Sequence, residues 1–245
     1  MEACTYHAGF FMSIYSKNLY AVIVAGGSGS RMKSVIAKQF LPLDDKPILA
    51  HTVERFLRIP NCKVIAVLPA RDMIFWQEIV DSSEKLIVAE EDDRLITVEG
   101  GSTRYQSVKN GLSVIEDEEG LVAIHDGVRP LIKTDLITES YKQAFEHGSA
   151  VLSVPMKDSA RVVDENGNRH IDRKNICLIQ TPQTFDLKKI KDAFALGEKE
   201  FFTDDASVYE FAGNTVNLIQ GDYRNIKITT PEDLDVAELF LKDNS

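Results

Sequence analysis

Along this chain the apolar residues gather in short unbroken runs more than in alternating positions. Tyr20–Ala25, Lys63–Pro69, Leu86–Ala89, Leu121–His125 and Ala150–Val154 are such runs, each of strand length. A strand covered on both faces of its sheet reads in this way, because neither side of the pleat meets water. Between the runs, Ile48–Leu57, Met73–Ser82, Ser107–Ile115 and Asp135–His147 carry the spacing of helices with one apolar stripe. Strands alternating with helices predict an α/β fold with a mostly parallel sheet. Ligands of such sheets sit beyond the carboxyl ends of the strands, so the loops after Ala25, His125 and Val154 are the ones to inspect.

Two segments break the alternation. Lys157–Gln183 is polar, holds the turn sequence Asp164–Asn168 and leads into the run Ile176–Ile179. It predicts a β-hairpin arm projecting from the domain. At the other end Thr230 is placed to cap a helix, Pro231 suits its first turn, and Asp233 puts negative charge at its amino terminus. That helix is expected over Pro231–Lys242. The leader Met1–Lys17 has neither a basic start nor a sustained apolar stretch, which makes it a poor signal peptide. It is expected to be a disordered leader, with Met12 as an alternative start, before a single domain at 18–245.

Composition narrows the function. The 245 residues are 44% hydrophobic and 27% charged, as in an ordinary globular protein large enough to bury a core without staples. A net charge of −10 argues against a nucleic-acid partner, since phosphate backbones select basic faces. It leaves room for a small anionic ligand met by a local cluster of Lys and Arg. Three scattered cysteines, Cys4, Cys62 and Cys177, with no CxxC pair, suit a reducing compartment and offer no zinc site. No apolar run reaches the ~18 residues of a membrane span. A cytoplasmic location, with no membrane partner, is the expectation.

The first strand runs straight into Ala25-Gly-Gly-Ser-Gly-Ser-Arg-Met32. Gly26, Gly27 and Gly29 leave backbone N–H groups unshielded and open to a triphosphate; a tight strand-to-helix turn is the other use of such a loop. Two familiar phosphate motifs fail on one residue. Both the dinucleotide pattern GxGxxG and the P-loop pattern GxxxxGK[ST], started at Gly27, require glycine where Met32 stands. That removes a nicotinamide oxidoreductase from the field. Arg31 and Lys38 then supply two cations beside the loop, suited to charge on a transferring phosphoryl centre, although a solvated surface is the commoner place for either.

Gly26–Arg31 with Lys38-Gln39 resembles the opening signature of the sugar-phosphate nucleotidyltransferases, in the branch of the 2-C-methyl-D-erythritol 4-phosphate cytidylyltransferases. Further matches follow in order: Gly100–Arg104 with Ser107, His125–Pro130, Gln180–Gln183, Thr203–Ser207, and Asn225–Thr229 leading to Pro231–Leu234. The resemblance spans about Tyr20 to Leu241. It implies a doubly wound, Rossmann-like sheet with a protruding β-arm that pairs two subunits, so a homodimer. It implies CTP as donor, a sugar-alcohol phosphate as acceptor, and Mg²⁺. Arg31, Lys38 and Lys227 would be the catalytic cations, and Asp126 would hold the metal or orient the acceptor. Ala25, Gly26, Gly27, Gly29, Gly100, Gly101, Ser102 and Ser107 would bind the nucleotide. Ser159, Arg173 and Thr181 would reach from the arm into the neighbour's acceptor site.

Several positions depart from the family pattern. Ala37 stands where Pro is usual before the signature lysine, Gly127-Val128 replace two small residues, Ser102 replaces an acidic residue, and Ser159 replaces Thr. These bear on the acceptor rather than on the reaction class. Ribitol 5-phosphate is the alternative acceptor, since Val128 resembles that group of enzymes. An inactive nucleotide-binding sensor or scaffold is the alternative of another class, and the retained Arg31, Lys38, Asp126 and Lys227 argue against it. His125 ends an apolar strand and reads as structural. Asp204 and Asp205 either order the loop before a helix at Ala206–Phe211 or lie near the acceptor, and the first is the expectation.

Overall fold

The computed structural model describes residues 14, 16–27 and 36–242. In chain order its elements begin with β1 (Leu19–Val24), the short pair β2 (Pro42–Leu43) and β3 (Lys46–Pro47), α1 (Ile48–Leu57) and β4 (Cys62–Leu68). Next come α2 (Met73–Asp81), α3 (Glu84–Glu91), β5 (Leu95–Glu99), α4 (Arg104–Ser113), β6 (Leu121–Asp126) and α5 (Thr134–His147). The chain continues with β7 (Ser149–Pro155), β8 (Ala160–Asp164), β9 (Gly167–Ile171), β10 (Cys177–Asp186), α6 (Leu187–Ala195), α7 (Asp205–Phe211), β11 (Leu218–Gln220) and α8 (Pro231–Lys242).

Among the described residues the central sheet has seven strands in the order β11-β7-β10-β6-β1-β4-β5. Only β10 runs against its neighbours, β6 and β7; the pairs of β1 with β4 and β6, of β4 with β5, and of β7 with β11 are parallel. The expected doubly wound α/β fold is therefore present, and β1 shows why its sequence is apolar throughout. Leu19, Ala21 and Ile23 face a core shared with α1, α2, α3 and α5, where Phe56, Trp76 and Tyr141 are buried. Tyr20, Val22 and Val24 face the opposite core beneath α4, α6 and α7, with Val108, Phe194 and Tyr209. A third cluster joins Val128, Leu131, Ile228 and Ala237, which seats α8 beside the loop after β6.

The helix expected over Pro231–Lys242 has those bounds. Asp233 secures its start by accepting from the N–H of Thr229 and of Thr230, at 2.8 and 2.9 Å. Helix α5 stops at Gly148, whose φ of +82° is the left-handed turn that glycine adopts without a Cβ penalty.

Two expectations need correction. Leu86–Ala89, expected as a strand, lies inside helix α3. Leu86 and Ala89, three apart, are buried while Val88 is exposed, and the flanking Glu and Lys residues favour a helix over a strand. The strand in that part of the chain is β5, an edge strand whose central residues are only half-buried and so form no apolar run. The segment Lys157–Gln183 divides: β8 and β9 form a hairpin of their own, but Cys177–Gln183 belongs to β10 in the central sheet. Within the leader, Ile14 is buried and its carbonyl accepts from the N–H of Lys17. The rest of the leader up to Tyr15, apart from Ile14, lies outside the described residues, as do Gly29, Arg31 and Met32.

Candidate active site

A cleft of about 270 Å³ opens at the carboxyl ends of β1 and β6. Its walls come from five stretches distant in sequence: Val24–Gly27, Lys38 with Gln39, Gly101–Arg104 with Ser107, the pair Asp126 and Val128, and Lys227 facing that pair. Of the expected site residues, Ala25, Gly26, Gly27, Lys38, Gly101, Ser102, Ser107, Asp126 and Lys227 line this one space. A Cβ built on Gly27 would lie 3.4 Å from Lys38 Cε and 3.7 Å from its Nζ, so the ammonium hangs over the glycine loop.

Asp126 is the centre of the charge arrangement. It ends β6 and is 8% exposed. Its Oδ2 meets Arg129 Nε and Lys227 Nζ, each at 3.1 Å, while Oδ1 faces Arg104 Nε at 3.8 Å. Burial pushes the carboxyl up, but Arg104, Lys227 and Arg129 together hold it well below the usual carboxylate range. It stays ionised. Arg104 is held from its other side by Asp205, with Nη1–Oδ1 at 2.8 Å and Nη2–Oδ2 at 2.6 Å. Burial opposes the charge on Arg104, yet Asp205 and then Asp126 hold it charged. Burial raises the Asp205 carboxyl even against the pull of Arg104. Two N–H groups meeting two oxygens is nonetheless the geometry of a carboxylate.

The backbone around Asp126 is fixed by a chain of polar contacts. The register of β10 against β7 shifts between Ile179 and Gln183, and Thr181 lies inside that irregularity. Its hydroxyl accepts from the N–H of Asp126 and meets His125 Nδ1, both at 3.1 Å. His125 Nε2 lies 3.2 Å from the carbonyl of Arg129, which can only accept, so Nε2 carries the proton and Nδ1 accepts from Thr181. Burial pushes His125 down to about 4, so the ring is neutral. The structural reading of His125 fits this pattern. Arg129 Nη1 donates to the carbonyl of Asn225 at 2.8 Å, and Asn225 Nδ2 donates to the carbonyl of Thr181 at 2.8 Å. The loop carrying Lys227 is thereby tied to the loop carrying Asp126.

The remaining expected residues are placed as follows. Thr181, expected to reach a neighbour's acceptor site, is buried and spends its hydroxyl on His125 and Asp126 of its own chain. Ser107, expected to read the base, donates to the Thr103 carbonyl at 2.9 Å and accepts from the Gly101 N–H at 3.1 Å. Its hydroxyl braces the glycine turn. A Cβ on Gly101 would come within 2.3 Å of Gln106 Cβ, so only glycine permits that approach. Gly100 lies behind the turn, its N–H on the Leu68 carbonyl, outside the cleft lining. Ser159 and Arg173 are exposed beside the hairpin, where Arg173 Nη1 donates to the carbonyl of Lys157. Neither lines the cleft. Arg104 and Arg129 are the functional candidates that sequence reasoning missed; each stands inside a quoted motif, Gly100–Arg104 and His125–Pro130, which was the available signal.

A glycine loop and four converging cations at the strand ends of a doubly wound sheet define an α/β nucleotidyltransferase. Residues 19–243 match the family model described as 2-C-methyl-D-erythritol 4-phosphate cytidylyltransferase. The chain belongs to that family. The enzyme of that name from Bacteroides thetaiotaomicron is 38% identical over 221 residues, covering 90% of this chain and 98% of the relative. The one from Clostridium acetobutylicum is 41% identical over 231 residues, covering 92% and 98%. Among solved structures, the 4-diphosphocytidyl-2C-methyl-D-erythritol synthase of Anaerococcus prevotii superposes with a TM-score of 0.79 at 27% identity, covering 94% of this chain and 99% of that one. The 2-C-methyl-D-erythritol 4-phosphate cytidylyltransferase of Francisella tularensis gives 0.74 at 30% identity, covering 91% and 99%.

Proposed function

We propose that this chain transfers the cytidylyl group of CTP to 2-C-methyl-D-erythritol 4-phosphate, releasing pyrophosphate, as a step of isoprenoid precursor synthesis. The observation that carries this reading is the convergence of Lys227, Arg129 and Arg104 on the buried Asp126, with Lys38 lining the same cleft. A phosphate monoester has its second pKa near ~6, so the acceptor arrives largely dianionic and needs no dedicated base. An acceptor oxygen bonds to the α-phosphorus of CTP as the bond to the bridging α–β oxygen breaks, and that oxygen leaves with pyrophosphate. Two polyanions must approach each other. The work left to the protein is alignment and relief of charge repulsion.

Lys38, above the glycine loop, suits the triphosphate. Lys227 sits 41% exposed at the mouth and suits the incoming acceptor phosphate. Arg31 belongs to the same reading from its place beside Lys38 in the sequence. Backbone groups of the Gly101 turn, braced by Ser107, suit the small cytosine ring, with Ser102 at its rim. Among the described residues no group of three or more acidic, His or Cys side chains could cage a metal. One ionised carboxylate in a cleft shaped for a triphosphate fits Mg²⁺ carried mainly on phosphate oxygens, with Asp126 as its protein ligand. Bound there, Mg²⁺ would neutralise phosphate charge and orient the triphosphate.

The hairpin β8–β9 with Ser159 and Arg173 lies apart from its own cleft, which supports a homodimer in which each hairpin serves the other subunit's acceptor. A cytoplasmic location goes with the scattered unpaired cysteines; among the described residues no helix is long and apolar enough to cross a membrane. The test is pyrophosphate release from CTP with each acceptor in turn. Release with 2-C-methyl-D-erythritol 4-phosphate is expected. Release with ribitol 5-phosphate alone overturns the assignment.

A further inference from the structure

Asp205 takes no part in the reading above. It opens α7, is 1% exposed, and receives both Nη atoms of Arg104. Its position is set independently of Arg104. Asp204 caps α7 by accepting from the Ser207 N–H at 2.9 Å, and its other oxygen accepts from Gln183 Nε2 at 2.9 Å. Gln183 Oε1 in turn accepts from the Ala206 N–H at 2.8 Å. The start of α7 is therefore bolted to strand β10, and the carboxylate of Asp205 is presented from a fixed frame. Arg104 forms a wall of the cleft and also lines a second cavity of about 230 Å³ behind it, beside Tyr105, Phe202 and Val208.

A guanidinium placed between two carboxylates can form a two-toothed pair with either. Here the pair goes to Asp205, at 2.6 and 2.8 Å, and Asp126 receives only Nε at 3.8 Å, beyond hydrogen-bond reach. Asp126 Oδ2 is shared by Arg129 and Lys227, so Oδ1 is the oxygen Arg104 would occupy if released. We propose that Asp205 is a positioning residue: it clamps Arg104 by both terminal nitrogens and so keeps the guanidinium off Asp126 Oδ1, leaving that oxygen for the divalent cation that accompanies CTP. The inference rests on the reading of Asp126 as the carboxylate that meets the metal.

The test is a double-mutant cycle of Asp205→Asn and Arg104→Gln on the full chain, with the protein in excess over CTP so that the nucleotide is enzyme-bound, and with no acceptor. Mn²⁺ binding is read from the electron paramagnetic resonance of the free ion. Far-ultraviolet circular dichroism reports the fold. D205N frees Arg104 to close on Asp126, and Mn²⁺ should bind about tenfold more weakly, whereas in the R104Q background the same change should cost less than about twofold. Equal losses in both backgrounds overturn the clamp, because the lost field of one carboxylate adds across the cycle and a released guanidinium does not. Unchanged affinity in D205N overturns it as well. If D205N does not fold, R104Q and R104Q/D205N carry the comparison, and a difference above twofold between them is fatal. Wild-type protein that takes up no Mn²⁺ with CTP overturns the reading of Asp126 and the clamp with it; wild-type binding matched by D205N leaves that reading standing and removes the clamp alone.

Discussion

In the cleft, Asp126, Arg129, Thr181 and Asn225 are tied to one another across three separate segments of chain, whereas the side chains of β8 and β9 are exposed or half-buried throughout. The cleft owes its geometry to one chain. Strand β6 positions Asp126, the Thr181 hydroxyl holds its N–H, and Arg129 draws in the loop that bears Lys227. The hairpin has no comparable support: a two-stranded ribbon is marginal by itself, and this one buries little against its own domain. A protein that keeps such a ribbon has a use for it outside its own core. The comparison sets the phosphate chemistry in the cleft apart from the hairpin, which is the element the proposed homodimer would use.

The largest effect expected is on turnover, from the cleft. Lys227 touches Asp126 but its side chain is 41% exposed, so Lys227→Ala should leave the fold nearly unchanged. Loss of one charge-stabilising group of this kind lowers kcat by about 10²–10³, measured as pyrophosphate release at saturating CTP. A fall of less than tenfold would mean that the chemistry does not run past Lys227, and the division between cleft and hairpin would lose its first half.

A second effect probes whether the cleft's frame is as rigid as its bonds suggest. His125 is neutral in the fold, lowered by burial from 6.5 to about 4. Between those values the unfolded chain takes up a proton that the folded chain refuses. Stability is thus full above pH 6.5, declines as the pH falls towards 4, and flattens below; the total change is about 3 kcal/mol. Urea midpoints across pH 4–7 measure this slope. His125→Gln should remove most of it whatever its absolute stability, while His51, also lowered by burial, contributes to both curves. Identical slopes in the two proteins would show that His125 is not the proton-excluding group.

How much of this was legible in the sequence differs between the same two regions. Ile48–Leu57 and Pro231–Lys242 fold with the expected bounds, because helical spacing and a Thr-Pro-Glu-Asp start are local signals. The buried strands β1, β4, β6 and β7 were equally plain as unbroken apolar runs. Leu86–Ala89 misled, because four apolar residues are too short to show a period, and the neighbouring Glu and Lys decided the matter. In the site, the glycine loop, Lys38, Asp126 and Lys227 carried both a motif and an expected role, whereas Arg104, Arg129 and Asp205 stood inside quoted motifs without a site role, and their contacts are made only by folding. Arg104 and Asp205 are 101 residues apart, and no spacing rule links them. Thr181 shows the converse case. A motif marked it, while its contacts to His125 and Asp126 depend on the irregularity in β10 and could not be read from the sequence.

The smallest effect on stability, and the sharpest on the hairpin, comes from Val163. It lies in β8 at 77% exposure, with Asn168 as its partner across the ribbon. A β-branched apolar side chain left in solvent contributes almost nothing to its own domain, so Val163→Asp should change the unfolding free energy of the chain by no more than about 0.5 kcal/mol. Against a second subunit the same change places a carboxylate in a surface that pairing would dry, where an unpaired charge is costly. Sedimentation velocity should then show the dimer weakened about tenfold or more, with CTP binding to the cleft retained because no cleft residue has moved. A V163D protein that remains as dimeric as the wild type would place the subunit contact elsewhere. The exposed ribbon, with Ser159 and Arg173 beside it, would then have to be explained by something other than a second copy of this chain.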